Sequence, residues 1–108
     1  MITYESKTGQ KYKITPSHFL GNIADCFGYL FTIDGARGEF RFIIRLPREI
    51  ALKKWKLGNR KEEEEALVDL GYALSKRELD RGNERDNAQI TLPADLAKET
   101  LKKTLAQI

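Results

Sequence analysis

Alternating apolar and polar residues at the start of the chain predict a β-hairpin. A three-residue loop, 7–9, places Ile2 opposite Ile14 and keeps the apolar side chains of both strands on one face. Gly9, the last residue of that loop, can adopt the left-handed conformation that three-residue hairpin loops need. We therefore expect a three-residue turn between the first two strands.

A second hairpin is predicted around a glycine-rich turn at residues 35–38. Pairing outward from this turn brings large apolar side chains opposite one another on one face: Ile33 with Phe40, Phe31 with Phe42, and Tyr29 with Ile44. The opposite face is mostly polar and carries Leu30, Arg41, Ile43 and Arg45. We therefore expect an antiparallel sheet with one buried and one open face.

The segment between the two hairpins, residues 16–27, has no regular period. Pro16 and Ser17 favour the start of a helical turn, whereas Gly21 and Gly28 weaken a helix. We expect an ordered connection between the hairpins, extended at its end.

The second half of the chain predicts helices. Pro47 suits the opening of a short helix over residues 48–57. Asn59 is a good N-cap for a longer helix that ends near Arg81. The four consecutive glutamates that follow, 62–65, complement the positive end of a helix. The broad apolar face of this helix comprises Ala66, Leu67, Leu70, Gly71, Ala73 and Leu74. We expect this face to cover the sheet and the helix to extend about one turn beyond it.

A short alternating strand, residues 89–92, follows, and Pro93 opens a final helix. One face of that helix is mainly apolar: Ala97, Leu101, Thr104, Leu105 and Ile108. Together the elements predict one α+β domain over residues 1–108. We expect an antiparallel meander of about four strands, covered on one face by a long helix, with a short C-terminal strand and helix.

A single cysteine and a single histidine exclude most of the sites that would support catalysis. Most cysteine-based zinc sites need more than one cysteine, and most histidine-based metal or catalytic sites need a second histidine. We interpret Cys26 as a buried structural thiol and His18 as a loop residue. Consecutive helical glutamates point in different directions, so residues 62–65 form no ligand set. We expect a protein that is not an enzyme and that uses no cofactor or metal.

The chain shows no membrane segment. Its longest uncharged stretch, 14–24, has 11 residues, whereas a transmembrane helix needs about 20 apolar residues. A secretory signal begins with a basic segment that is followed by an apolar one. Met1 instead leads directly into a predicted strand, so no secretory signal is expected. With a reduced thiol, these features predict a cytoplasmic protein.

The charge of the chain is unevenly distributed. The net charge is +3, but residues 37–60 contain eight basic residues and two acidic ones. The candidate binding residues are Arg37, Arg41, Arg45, Arg48, Lys53, Lys56 and Arg60. Arginine suits phosphate groups, but the aromatic residues of the second hairpin face inward, whereas proteins that bind single strands expose aromatic rings. We therefore expect a small non-catalytic binding module, with nucleic acid and an acidic protein both open as partners.

The stretch 90–97, ITLPADLA, is similar to the strand and first helix of ribbon-helix-helix repressors. In that family the outward polar residues of the strand, here Gln89 and Thr91, read the major groove within a dimer. The resemblance implies an alternative function, a DNA-binding transcriptional regulator that uses residues 88–108.

A second apolar stripe on the long helix, Val68, Tyr72 and Leu79, predicts self-association. One sheet cannot cover this stripe together with the main apolar face, and Leu79 falls where the helix is expected to pass beyond the sheet. A homodimer through the helical half is therefore expected. In the alternative, the C-terminal helix packs on the stripe within one chain.

Overall fold

The computed structural model describes residues 1–93, which form one five-stranded sheet with a long helix against one face. The strands are β1 (Ile2–Glu5), β2 (Lys11–Ile23), β3 (Cys26–Gly35), β4 (Gly38–Pro47) and β5 (Ala88–Thr91). A π-helical turn (Ile50–Lys54) and the helix α1 (Arg60–Asp80) connect β4 to β5. The first four strands form an antiparallel meander, and β5 pairs in parallel with β4. The predicted α+β class is confirmed, and the predicted final helix lies outside the described residues.

The register of the first hairpin is the predicted one. Ile2 pairs with Ile14, and the backbone N–H of Ser6 donates to the carbonyl of Gln10 at 2.9 Å. Gly9 has a φ of +85°, the left-handed conformation that the three-residue loop requires. The loop length therefore keeps the apolar side chains of β1 and β2 on one face.

The second hairpin also has the predicted register, with Phe31 opposite Phe42 and Ile33 opposite Phe40. Its turn is tighter than expected, because Gly35 and Gly38 pair with each other and leave only residues 36 and 37 in the turn. Phe31 and Phe42 are fully buried, so this face forms the centre of the core.

The prediction for residues 16–27 is wrong. β2 continues to Ile23 and forms a further hairpin with β3, without any helical turn at Pro16. The register shifts between Pro16 and His18 and again between Phe19 and Gly21. Each shift inserts a residue into the strand and changes which side chains face the core, so the alternation that reveals a strand in sequence is lost.

The predicted short helix is also different in the structure. The chain forms a π-helical turn at Ile50–Lys54 instead of a regular helix to residue 57. The backbone N–H of Trp55 donates to the carbonyl of Ile50, five residues back, whereas an α-helical bond spans four. The N–H of Leu57 then donates to the carbonyl of Ala51, six residues back, and closes the turn. Ala51 alone is buried in this turn, so no continuous apolar face stabilises a longer helix.

α1 begins and ends as predicted. The side chain of the N-cap Asn59 accepts a hydrogen bond from the backbone N–H of Glu62 at 2.9 Å, and Gly82 follows the helix with a φ of +78°. Its buried residues are Ala66, Leu67, Leu70, Gly71, Leu74, Ser75 and Leu79. This face packs on β2, β3 and β4.

The expected overhang of α1 is not present. The hydroxyl of Tyr4 donates to the carboxylate of Asp80 at 2.7 Å, and the backbone N–H of Lys7 donates to the same carboxylate at 2.8 Å. The hydroxyl of Tyr12 donates to Glu84, just beyond the helix. The first hairpin therefore holds the end of α1 against the sheet.

Candidate interaction site

The structure separates the candidate basic residues into three places. Arg37 lies in the turn between β3 and β4, whereas Arg41 and Arg45 lie on the sheet face opposite α1, which we call the open face. The others follow the far end of β4: Arg48, Lys53, Lys56 and Arg60. At about 3.3 Å per residue, β4 separates the first group from the last by about 30 Å. The seven residues therefore do not form one continuous surface.

Four of the seven basic side chains have an acidic neighbour within 4 Å. The pairs are Arg37–Glu84 at 3.9 Å, Arg41–Glu39 at 3.6 Å, Lys53–Glu49 at 3.8 Å and Arg60–Glu64 at 3.7 Å. Pairs this exposed contribute little to stability, but they reduce the positive potential around them. The charge excess of residues 37–60 is therefore partly neutralised in three dimensions.

Two of the arginines lie over aromatic rings. The Cζ of Arg48 is 5.8 Å from the ring centroid of Phe27, and the Cζ of Arg60 is 5.2 Å from that of Phe19. Such contacts use the planar guanidinium to cover an apolar edge of the core. Lys56 is exposed.

Arg45 has different surroundings from the other basic residues. It is half-buried on the open face, and its Nη1 donates to Oε1 of Gln89 on β5 at 3.0 Å. Among residues 1–93, its buried Nε has no acceptor, and no carboxylate lies within 4 Å of its guanidinium. A cation that is partly removed from water without a counter-ion is unfavourable. Arg45 is therefore the group on this face that gains most from an incoming carboxylate.

An apolar patch lies beside Arg45 on the open face and consists of Leu20, Ile23, Leu30 and Ile43. Leu30 and Ile43 pair across β3 and β4. The other two fold over Gly28, which pairs with Arg45: a Cβ on Gly28 would lie 2.9 Å from Cδ1 of Ile23 and 3.5 Å from Cβ of Leu20. Leu20 and Ile23 are each 37% exposed. The apolar patch therefore remains accessible at its β2 end.

Sequence reasoning missed half of this patch. The alternation of the second hairpin places Ile43 and Leu30 on the open face. Leu20 and Ile23 belong to the end of β2, where two bulges interrupt the alternation of apolar and polar residues. The visible signal was that two large apolar side chains sit opposite each other on a face that is otherwise polar.

The predicted self-association stripe is divided by the structure. Leu79 is fully buried in the core of its own chain, so the expectation that it lacks a partner is wrong. Tyr72 packs edge-on against Phe31 with ring centroids 5.6 Å apart, and its hydroxyl accepts a hydrogen bond from the amino group of Met1. Val68 is half-buried. Leu79 is therefore not available to a second copy.

The strand of the ribbon-helix-helix resemblance is β5. Gln89 and Thr91 are exposed, and β5 pairs with β4 of the same chain. Gln89 is already hydrogen-bonded to Arg45.

The remaining candidate groups lie apart. Cys26 is buried, as expected, and His18 is exposed on β2 rather than in a loop. Within the described part of the chain, no group of three or more His, Cys, Asp and Glu side chains could hold a metal ion. The described helices contain no stretch both long and apolar enough to cross a bilayer.

Comparisons with known proteins found no matching family model, no matching curated protein and no matching solved structure.

Proposed function

We propose that the protein is a non-catalytic binding module that holds an acidic segment of another protein against Arg45 and the apolar patch. The observation that supports this proposal is Arg45, a half-buried residue whose guanidinium has Gln89 but no carboxylate of residues 1–93 beside it. A partner carboxylate would supply the missing counter-ion and accept two parallel hydrogen bonds from the planar fork.

The apolar patch favours a protein over a nucleic acid as the partner. Arginine beside apolar side chains is typical of the central residues of protein interfaces. Protein surfaces that bind single-stranded nucleic acids combine several free cations with exposed aromatic rings. The aromatic residues of β1 to β4 instead pack into or against the core on the face that α1 covers, and four of the seven basic residues have acidic partners.

Arg41 extends the same surface along β4. It lies four residues from Arg45 on the open face, with its side chain 47% exposed and beside Glu39. A second acidic residue of the partner segment would compete with Glu39 for Arg41. Because the single thiol, Cys26, is buried and unpaired, we propose a reducing compartment, the cytoplasm, as the place of this interaction.

A designed peptide tests the proposal without knowledge of the natural partner. The probe is a short blocked peptide that repeats Glu-Glu-Val-Val, labelled for fluorescence anisotropy, and the matched peptide replaces each glutamate with glutamine. We expect the acidic peptide to bind the full chain. We expect Arg45→Gln to lower the affinity for this peptide about tenfold or more, because a charge-assisted hydrogen-bonded pair is lost. Arg48→Gln is the control, because Arg48 packs on Phe27 away from the open face.

Two results would overturn the proposal. One is equal affinity for the acidic and glutamine peptides, or no binding of either. The other is tight, salt-sensitive binding of a single-stranded oligonucleotide that Arg45→Gln leaves unchanged, which would favour nucleic acid. The ribbon-helix-helix alternative stays a prediction from residues 88–108, as does the homodimer.

A further inference from the structure

β5 is the last strand of the sheet and presents one unpaired edge. The backbone N–H of Leu92 donates to the carbonyl of Arg45 at 3.0 Å, so the alternate residues 88 and 90 also direct their backbone groups toward β4. The backbone groups of Gln89 and Thr91 therefore point away from β4. No other strand of residues 1–93 lies on that side. This edge can accept an added strand.

A cleft runs along this edge on the side of α1. It has a volume of about 210 Å³, and its lining includes Leu74, Arg77, Glu78 and Arg81 from α1 and Ile90 and Thr91 from β5. Arg81 is paired with Glu78 at 3.1 Å, whereas Arg77 has no ion pair with any residue from 1 to 93. The cleft therefore places one unpaired cation beside the free backbone of β5.

We propose that the partner segment binds as an extended strand along the free edge of β5. Successive side chains of a strand point to opposite faces of the sheet. One acidic residue of the segment would then face Arg45 on the open side, and the next would face Arg77 in the cleft. This inference rests on the proposed function and specifies the part of the partner that reaches Arg45: an extended segment with two adjacent acidic residues, next to the part that covers the apolar patch.

The position of Arg45 agrees with this arrangement. Its side chain reaches across to β5, where Nη1 contacts Gln89, so its guanidinium is directed toward the edge at which the strand would be added. The main chain would supply affinity through hydrogen bonds to Gln89 and Thr91, and the two arginines would select acidic side chains.

The experiment uses the full chain and the acidic peptide described above. A second version of the peptide is N-methylated at alternate residues, which removes the backbone donors of one edge and keeps every side chain. We expect N-methylation in one of the two alternations to weaken binding about tenfold or more, because at least two backbone hydrogen bonds are lost. This measurement leaves the protein unchanged, so it does not depend on the folding of a variant.

Protein variants give a second measurement. Thr91→Pro removes an outward N–H and leaves the pairing with β4 intact, since proline is tolerated on an edge strand in this orientation. We expect Thr91→Pro and Arg77→Gln each to lower the affinity for the acidic peptide several-fold. Arg85→Gln, in the exposed loop after α1, is the control and is expected to leave the affinity unchanged.

Amide hydrogen exchange distinguishes the occupants of the edge. We expect the amides of Gln89 and Thr91 to exchange rapidly in the free chain and to become protected when the peptide binds. Protection before peptide is added would mean that residues 94–108 or a second copy already occupy the edge, and would overturn the inference. Loss of binding with Arg45→Gln, without any effect of N-methylation or Thr91→Pro, would overturn it and leave the proposed function standing.

Discussion

The ring of Phe31 lies directly against the backbone of Gly71. A Cβ on Gly71 would be 2.1 Å from Cε1 of Phe31, far inside van der Waals contact. Glycine in the interior of a helix normally lowers stability by about 0.5–1 kcal/mol relative to alanine. Here the missing side chain allows α1 to approach β3 closely enough for the aromatic ring to fill the space between them.

Gly71→Ala is therefore expected to destabilise the protein, although alanine is the better helix former. Overpacking of this kind costs about 1–3 kcal/mol, which exceeds the gain of about 1 kcal/mol in helix propensity. Chemical denaturation measures the difference. Phe31→Leu in the same chain is expected to recover part of the loss, because it removes the ring that the new methyl group meets. A more stable Gly71→Ala protein would contradict the close approach of α1 and β3.

Phe42→Ala is expected to cost about 3–5 kcal/mol in the free energy of unfolding, the usual effect of removing a buried aromatic side chain. Phe42 is fully buried opposite Phe31. The matched control is Arg41→Ala, one residue earlier on the open face, which is expected to change stability by less than about 0.5 kcal/mol. A loss below about 1 kcal/mol for Phe42→Ala would mean that the two faces of β4 are wrongly assigned.

Much of this fold is readable from the sequence because the signals are local. The loop at 7–9 and the glycine-rich turn at 35–38 determine the registers of their hairpins, and Asn59 marks the start of α1 through a hydrogen bond that spans three residues. The bulged part of β2 is not readable in this way. Its two register shifts insert extra residues opposite β3, and they interrupt the alternation of apolar and polar residues by which a strand is recognised in sequence.

The candidate site was less predictable than the fold because it depends on contacts between residues far apart in sequence. Charge counting selected residues 37–60, but the importance of Arg45 depends on Gln89, which lies on a strand added from the other end of the chain. The parallel pairing of β5 has no signature in a four-residue strand. Likewise, the contact between Tyr4 and Asp80 joins residues 76 apart. The sequence pattern does not reveal this contact, so it predicts that α1 passes beyond the sheet.

Leu79→Glu is expected to destabilise the monomer rather than to separate a dimer. Leu79 is fully buried in its own chain, and an unpaired carboxylate there would be costly. Denaturation and sedimentation of the same samples test this. We expect a large loss of stability and no change in the mass of the folded fraction. If the wild type sediments as a dimer and Leu79→Glu as an equally stable monomer, Leu79 lies at an interface instead.

The carboxylate of Asp80 is expected to make stability depend on pH in the acid range. Burial would raise the pKa of Asp80, but the hydrogen bonds from Lys7 and Tyr4 and the charge of Lys7 outweigh it and lower the pKa below 3.8. A carboxyl group with a lower pKa in the folded state stabilises the protein above its unfolded pKa and loses this contribution as pH falls through the folded value. We therefore expect the stability difference between the wild type and Asp80→Asn to be constant near neutral pH and to shrink below about pH 4. A difference that is independent of pH would mean that Asp80 is not ionised in this contact.

The hydroxyl of Tyr4 predicts the opposite dependence at alkaline pH. Burial, together with the hydrogen bond to Asp80 and the negative charge of that carboxylate, raises the pKa of Tyr4 from 10.0 to about 12. A group whose pKa is raised by folding contributes its full stabilisation below the unfolded pKa and loses it as pH rises through the folded value. At neutral pH, Tyr4→Phe is expected to cost about 1–2 kcal/mol, since the hydroxyl donates to a charged acceptor. Between pH 10 and about 12 the wild type is expected to approach the variant in stability.

Tyr12 donates to Glu84 and its pKa is also raised to about 12. The comparison is therefore made in a Tyr12→Phe background, where any remaining convergence of the two stabilities belongs to Tyr4. If the two curves stay parallel to pH 12, the hydroxyl of Tyr4 does not hold the end of α1 to the first hairpin.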